Sequence, residues 1–218
     1  MAAVRLRGCD LPITRVRESQ IRASLLLALR DRHGADPNTL IRQELGLCAG
    51  ARRVDLAMIN GELVGFEIKS DQDTLYRLAG QAEAYGQVLD RVTLVTTARY
   101  IDKAAALVPT WWGLIRADPA DGSGQTPTGN KDVSAREAVL TRVRPAALNT
   151  EQDPFAVVQL LWREEALAIL RERGLHRGLE RKRRWIIWQH LAEAIPLPEL
   201  RALTRDQLRA RRTWPGGH

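Results

Sequence analysis

Two apolar runs, Arg53 to Ile59 and Leu63 to Ser70, meet across Asn60-Gly61. Asn-Gly between alternating apolar residues is among the strongest short-range signals for a β-hairpin. Along a strand, side chains alternate between faces, so Glu67 and Lys69 share one face while Phe66 and Ile68 point to the other. Burying a carboxylate and an ammonium in an otherwise apolar strand is costly without compensation. A divalent cation would compensate, because Mg2+ takes hard oxygen ligands and usually keeps several waters. The lysine would then orient an attacking water or stabilise charge developing on a scissile phosphate.

The second carboxylate for such a site is Asp55, on the first strand of the hairpin. Residues directly opposite in a sheet point to the same face. A two-residue Asn60-Gly61 turn would pair Ile59 with Glu62 and set Asp55 against Phe66, leaving Asp55 and Glu67 on opposite faces. The expectation is therefore a three-residue loop with Gly61 in the left-handed conformation and a bulge, or a bulge elsewhere in the pair.

The flanks read as α/β organisation. Arg17 to Asp31 has helical spacing and stops at Gly34, and Thr39 to Leu45 reads as a first strand. Asp71-Gln72-Asp73 offers N-caps for a helix from Thr74 to Leu89. Val92 to Thr97 is β-branched enough for a buried strand. A short helix over Tyr100 to Val108 and a strand over Trp111 to Ile115 follow. Asp118 to Asn130 reads as a loop, and Val139 to Val143 as a strand returning to Leu114-Ile115. Three helical segments close the chain, Phe155–Arg173, Leu179–Ala194 and Pro198–Arg212. This divides the chain into a core over residues 1–145 and a basic helical appendage over 146–218.

The formal charge of +7 is unevenly spread. Residues 154–218 hold 13 Lys and Arg against 7 Asp and Glu, so almost all the excess lies there. Such asymmetry favours a polyanion, DNA or RNA, although a solvated basic helix face would carry the same charge. Arg181-Lys182-Arg183-Arg184 is the densest cluster, and Trp185 and Trp188 follow it. Tryptophan pairs, Trp111-Trp112 included, pack in cores more often than they stack on bases. No apolar run approaches the roughly 18 residues of a membrane span. Two cysteines, Cys9 and Cys48, form no disulfide framework, and a reduced cytoplasmic compartment is the simpler reading. The four histidines have no zinc spacing, and no phosphate-cradling Gly-rich loop marks an NTPase.

With Asp55, a hairpin, Glu67-Ile68-Lys69 and a helix in succession, residues 17–117 resemble the PD-(D/E)XK nuclease superfamily. Val54 stands where the proline of the motif's name would be. The following helix carries Gln81-Ala82-Glu83-Ala84-Tyr85, which resembles the QxxxY motif of RecB-like members. The chain also resembles an uncharacterised bacterial group of the superfamily in Glu44-Leu45-Gly46-Leu47 and the paired tryptophans. The resemblance implies a restriction-endonuclease-like core, α-β-β-β-α-β, with Asp55 and Glu67 binding Mg2+ or Mn2+ and Lys69 assisting hydrolysis. It implies a deoxyribonuclease, in DNA repair or defence. Gln81 and Tyr85, one turn apart, would support the site, and Arg77 extends their stripe towards a phosphate. Glu44 is the preferred third acid and metal ligand, with Glu18 next. A non-catalytic nucleic-acid-binding module, or an accessory subunit with the same fold, is the rival reading. The sequence leaves open a homodimer or a partner protein.

Overall fold

The computed structural model describes residues 15–120 and 138–214. Helix α1 (Glu18–His33) leads into strand β1 (Leu40–Leu47), a short 3-10 turn at Cys48–Gly50, and strands β2 (Arg52–Ile59) and β3 (Leu63–Lys69). Then come α2 (Leu78–Gly86), β4 (Arg91–Thr97), α3 (Ile101–Leu107), β5 (Gly113–Pro119) and β6 (Ala138–Arg144). Four helices follow among the described residues: α4 (Pro154–Val158), α5 (Arg163–Glu172), α6 (Arg184–Ala194) and α7 (Leu197–Ala210). This is mixed α/β organisation with C-terminal helices. Among the described residues no helix is long and apolar enough to cross a membrane.

The six strands form one sheet in sequence order. β1, β2 and β3 run antiparallel, β3, β4 and β5 run parallel, and β6 returns antiparallel. The parallel joins need crossovers, and α2 and α3 supply them. Ala82, Tyr85 and Ala104 of these helices pack with Ala57, Ile59 and Leu94 on one side of the sheet. On the other side Ile21, Leu25 and Leu29 of α1 cover Leu56, Phe66 and Val95. β3 and β4 are therefore enclosed on both faces, and this is why they read as near-continuous apolar runs. Gly65 lets Leu89 pack close: a Cβ there would come within 2.5 Å of Leu89 Cδ1 and force that side chain to shift.

The hairpin loop does contain three residues, since Ile59 pairs with Leu63 and Leu56 with Phe66. Gly61, expected in the left-handed region, is not there. Asn60 closes the loop instead, its side chain accepting from the Glu62 amide (3.0 Å) while its own amide donates to the Glu62 carbonyl (3.0 Å). Helix α2 starts at Leu78, later than Thr74, because its expected caps are engaged elsewhere. Asp71 accepts from the Val16 amide and the Thr97 hydroxyl, and Asp73 from the amide and hydroxyl of Ser70.

Trp111 and Trp112 precede β5 in a turn that the Trp112 amide closes on the Pro109 carbonyl (3.0 Å). β6 pairs with Leu114-Ile115 as expected, with a register shift between them. β5 includes Asp118 and Pro119, and the remaining loop and Cys9 lie outside the described residues. The first expected C-terminal helix divides in two, because the Glu165 carboxylate caps a new start at the Trp162 amide (2.7 Å). The second begins at Arg184, after left-handed Gly174 and Gly178.

The C-terminal helices have an apolar cluster of their own, with Leu161, Leu167, Ile187 and Leu191, and they also enter the sheet's core through Ala156, Leu160 and Leu208. Asp90, only 2% exposed at the head of β4, fastens them. Its carboxylate accepts from the Leu63 amide (2.6 Å) and the Gln152 amide group (2.7 Å), and pairs with Arg201 and Arg205 of α7. Removing one partner of a buried charge network typically costs about 3–5 kcal/mol. Asp90→Ala is expected to lose stability on that scale in urea denaturation; a loss under about 1 kcal/mol would show that α7 is held otherwise.

Candidate active site

The β2–β3 ladder ends at Leu56–Phe66, one residue before Asp55 and Glu67 would face each other. Asp55 enters the opening and accepts the Ile68 amide proton with Oδ2 (2.7 Å). The alternation of β2 also breaks here. Val54 joins Ala57 in the core beneath α2, whereas Leu56 and Met58 pack towards α1. β1 is irregular at the same level: its ladder with β2 is interrupted between Gln43–Leu56 and Leu45–Val54, and Glu44 has φ 56°. Asp55, Glu67 and Lys69 thus line one cleft of about 620 Å³, together with Glu18, Glu44, Arg77 and Gln81. The parity problem of the hairpin is resolved by the three-residue loop and the break at Asp55.

Glu67 is 2% exposed and Lys69 6%. Lys69 Nζ pairs with Glu67 Oε1, and Gln81 Nε2 donates to the same oxygen (2.5 Å). The Tyr85 hydroxyl lies 2.7 Å from both Glu67 Oε2 and the Arg53 carbonyl, and its single proton serves one of them at a time. Burial first, then the Glu67 charge, push the Tyr85 hydroxyl well above its ordinary value, so it stays a donor. Its ring stacks on Trp112 (5.9 Å between centroids, planes 5° apart), which places the first tryptophan pair in the core. The helical stripe of Gln81 and Tyr85 therefore grips Glu67. Arg77 lines the cleft, and its guanidinium has no hydrogen-bond or ion-pair partner among the described residues.

Arg22 is the site residue that sequence reasoning missed. From α1 its Nη2 reaches Glu18 (2.6 Å), Glu44 (3.0 Å) and Asp55 (3.1 Å), and Nη1 bonds the Asp55 carbonyl (3.0 Å). The available signal was its place four residues after Glu18, on the same helix face. Glu44 also pairs with Arg53 (2.6 Å), so it lines the cleft through arginines, not directly against Asp55 and Glu67. Burial, and next the Glu67 charge, raise the Asp55 carboxyl to about 6, against the Ile68 amide, Arg22 and Lys69.

Among the described residues no three His, Cys, Asp or Glu side chains form a metal-binding group. Mg2+ does not require one, because one or two carboxylates, waters and substrate phosphates commonly suffice. Asp55 and Glu67 suit that mode: burial, and next the Glu67 charge, raise the Asp55 carboxyl, and a bound cation would offset both. Beside them Gln81 Oε1 is buried with no hydrogen-bond partner, an acceptor suited to a cation's water. Arg181, Lys182 and Arg183 are exposed and do not line the cleft, and Arg184 lines a neighbouring groove.

Comparison with known proteins places the chain in a family. Residues 12–213 match the family model described as bacteriophage P4 protein cII, and the chain belongs to that family. Protein cII of Enterobacteria phage P4 is 32% identical over 100 residues, which cover 46% of this chain and 38% of that protein. The match thus takes in well under half of that relative's length. A solved structure, a protein of unknown function from Silicibacter pomeroyi, aligns over 77% of this chain and 97% of its own, at 20% identity and a TM-score of 0.42.

Two outcomes follow from the geometry. A carboxyl whose folded pKa lies above its unfolded value binds more protons when folded, so stability falls as pH rises through that window. Without divalent cation, Asp55→Asn is expected to stabilise the protein at pH 7.5, by on the order of 2 kcal/mol, and to lose the advantage below about pH 4. Equal denaturation midpoints for both proteins at pH 7.5 would refute it. For Glu44, a left-handed non-glycine residue costs roughly 1–2 kcal/mol, which offsets what its two ion pairs contribute. Glu44→Gly should therefore unfold within about 1 kcal/mol of the parent protein, and a larger loss in urea would contradict that balance.

Proposed function

We propose that this member of the bacteriophage P4 protein cII family is a divalent-metal-dependent nuclease that hydrolyses phosphodiester bonds in DNA, built on a PD-(D/E)XK core. One observation carries the reading: the buried Glu67–Lys69 pair and Asp55 line a single cleft, gripped from the next helix by Gln81 and Tyr85. The order α1-β1-β2-β3-α2-β4, with β4 parallel to β3, supports the finer reading of the fold.

Asp55 and Glu67 would hold Mg2+ or Mn2+, which supplies Lewis-acid charge beside the scissile phosphate. The rest is the work of the chain's own groups. Gln81 and Tyr85 fix the Glu67 carboxylate so that it cannot turn away from the cleft. Lys69 Nζ, anchored on Glu67, orients the attacking water and stabilises negative charge gathering on the phosphate oxygens. Arg77, without an acidic partner, takes a neighbouring phosphate. The water oxygen bonds to phosphorus, the bond from phosphorus to the leaving sugar oxygen breaks, and one water proton passes through solvent to that oxygen. Water access along the open cleft permits this transfer without a buried histidine.

The test is to incubate the protein with single-stranded, duplex and branched DNA and with RNA, plus Mg2+ or Mn2+, beside Lys69→Ala and Glu67→Gln. The parent protein should cut DNA, with each variant slower by about a hundredfold or more. Equal cleavage by parent and variants would assign the activity to a contaminant. Cleavage by none would overturn the enzyme and favour a binding module with the same fold.

A further inference from the structure

A second groove, of about 580 Å³, runs beside the acidic cleft and shares Glu44, Ala51, Arg52 and Arg53 with it. One wall belongs to the sheet, through Arg42, Arg52 and Arg53. The other belongs to the C-terminal helices, through Arg184, Arg211 and Trp162. Glu44 is the only acid among its lining residues, and Arg53 already neutralises it.

The arginines fall into two kinds. Arg211 is fixed: it pairs with Glu165, bonds the Leu160 carbonyl (2.6 Å), and lies between the rings of Trp162 (4.5 Å) and Trp214 (4.8 Å). Arg42 rests on Trp214 (4.9 Å), Arg184 on Trp188 (4.4 Å), and Arg52 bonds the Ala51 carbonyl (3.2 Å). None of these three meets a carboxylate among the described residues. Arg42 and Arg184, held on aromatic rings, and Arg52, held on a backbone carbonyl, are donors without an anion, and the planar fork of a guanidinium matches a phosphate. Trp162, 38% exposed at the rim, offers a surface on which a base can stack.

We infer that this groove is a track for one DNA strand, gripping consecutive phosphates with Arg42, Arg52 and Arg184 and delivering the strand past Arg53 to the acidic cleft. Delivery for cutting rests on the nuclease reading; the grip itself does not. A single strand is the occupant because sheet arginines line one side of the groove and helix arginines the other, and the partly exposed Trp162 ring among them suits an unstacked base, which a duplex does not offer. It also gives the basic C-terminal region a place in substrate binding.

The experiment measures binding of a fluorescein-labelled 20-nucleotide thymidine strand to the full chain in EDTA, by anisotropy across a salt series. A duplex of equal length runs in parallel. Arg42→Ala/Arg52→Ala/Arg184→Ala is compared with Arg30→Ala/Arg32→Ala/Arg142→Ala, which removes equal charge from α1 and β6. With about 0.7 counterions released per phosphate contact on single strands, the groove variant should lose about 2 from the slope of log K against log salt. Its affinity should fall at least about tenfold, while the reference variant keeps the parent slope. If the triple variant does not fold, Arg52→Glu, which bonds only its neighbour's carbonyl, carries the test and should lower the slope by about 1.

Equal slopes for groove and reference variants, or a duplex bound as tightly and weakened as much, would overturn the track. Cleavage in Mg2+ with an unmoved slope would sink the track and leave the nuclease standing. A reduced slope with no cleavage by any form would do the reverse.

Discussion

A carboxylate 2% exposed needs donors on every side, and Glu67 obtains them from two successive elements of the chain. Lys69 comes from its own strand, Gln81 and Tyr85 from the helix that follows. Satisfying that charge fixes the rotation of α2 over the sheet, because only one face of the helix presents both residues, four apart, towards β3. It also sets Trp112, whose ring stacks on Tyr85 and closes the core beneath the site. Positioning and stability are therefore coupled: groups that shape the cleft also seat the helix.

The cleft's other wall obeys the opposite rule. Where the β2–β3 ladder stops, Asp55 takes a backbone amide in place of a strand partner, and its carboxyl is left close to Glu67. Arg22 neutralises part of that excess by reaching three carboxylates at once. The left-handed Glu44 lies beside it, strain that persists because the residues before and after it in β1 are paired with β2. Stability is given up locally at the place where charge is gathered.

Asp90 does for the C-terminal helices what Glu67 does for α2. Its buried charge draws in Arg201 and Arg205, and so seats α7 against the start of β4. That docking brings Arg184, Arg211 and Trp162 opposite Arg42 and Arg52, and makes a groove that neither half has alone.

Local pattern was enough for the strands, the hairpin, the covering helices and the shared face of Glu67 and Lys69, because alternation and helical spacing are properties of neighbours in sequence. The Gln81–Tyr85 stripe was visible for the same reason. The late start of α2, the closing of the hairpin by Asn60 instead of a left-handed Gly61, and the split C-terminal helix were not. Each depends on which distant group a side chain bonds: Asp71 turned to Val16 and Thr97, and Asp73 stayed with Ser70. Asp90 and the arginine groove lay beyond the sequence, and of Arg22 only its spacing from Glu18 was legible, not its reach to Glu44 and Asp55. Electrostatic partners are chosen by distance in space, and only the folded sheet brings α1, β2 and α7 within reach of one another. The sequence by itself determined which residues could carry charge into a strand; the tertiary structure decided which charges meet.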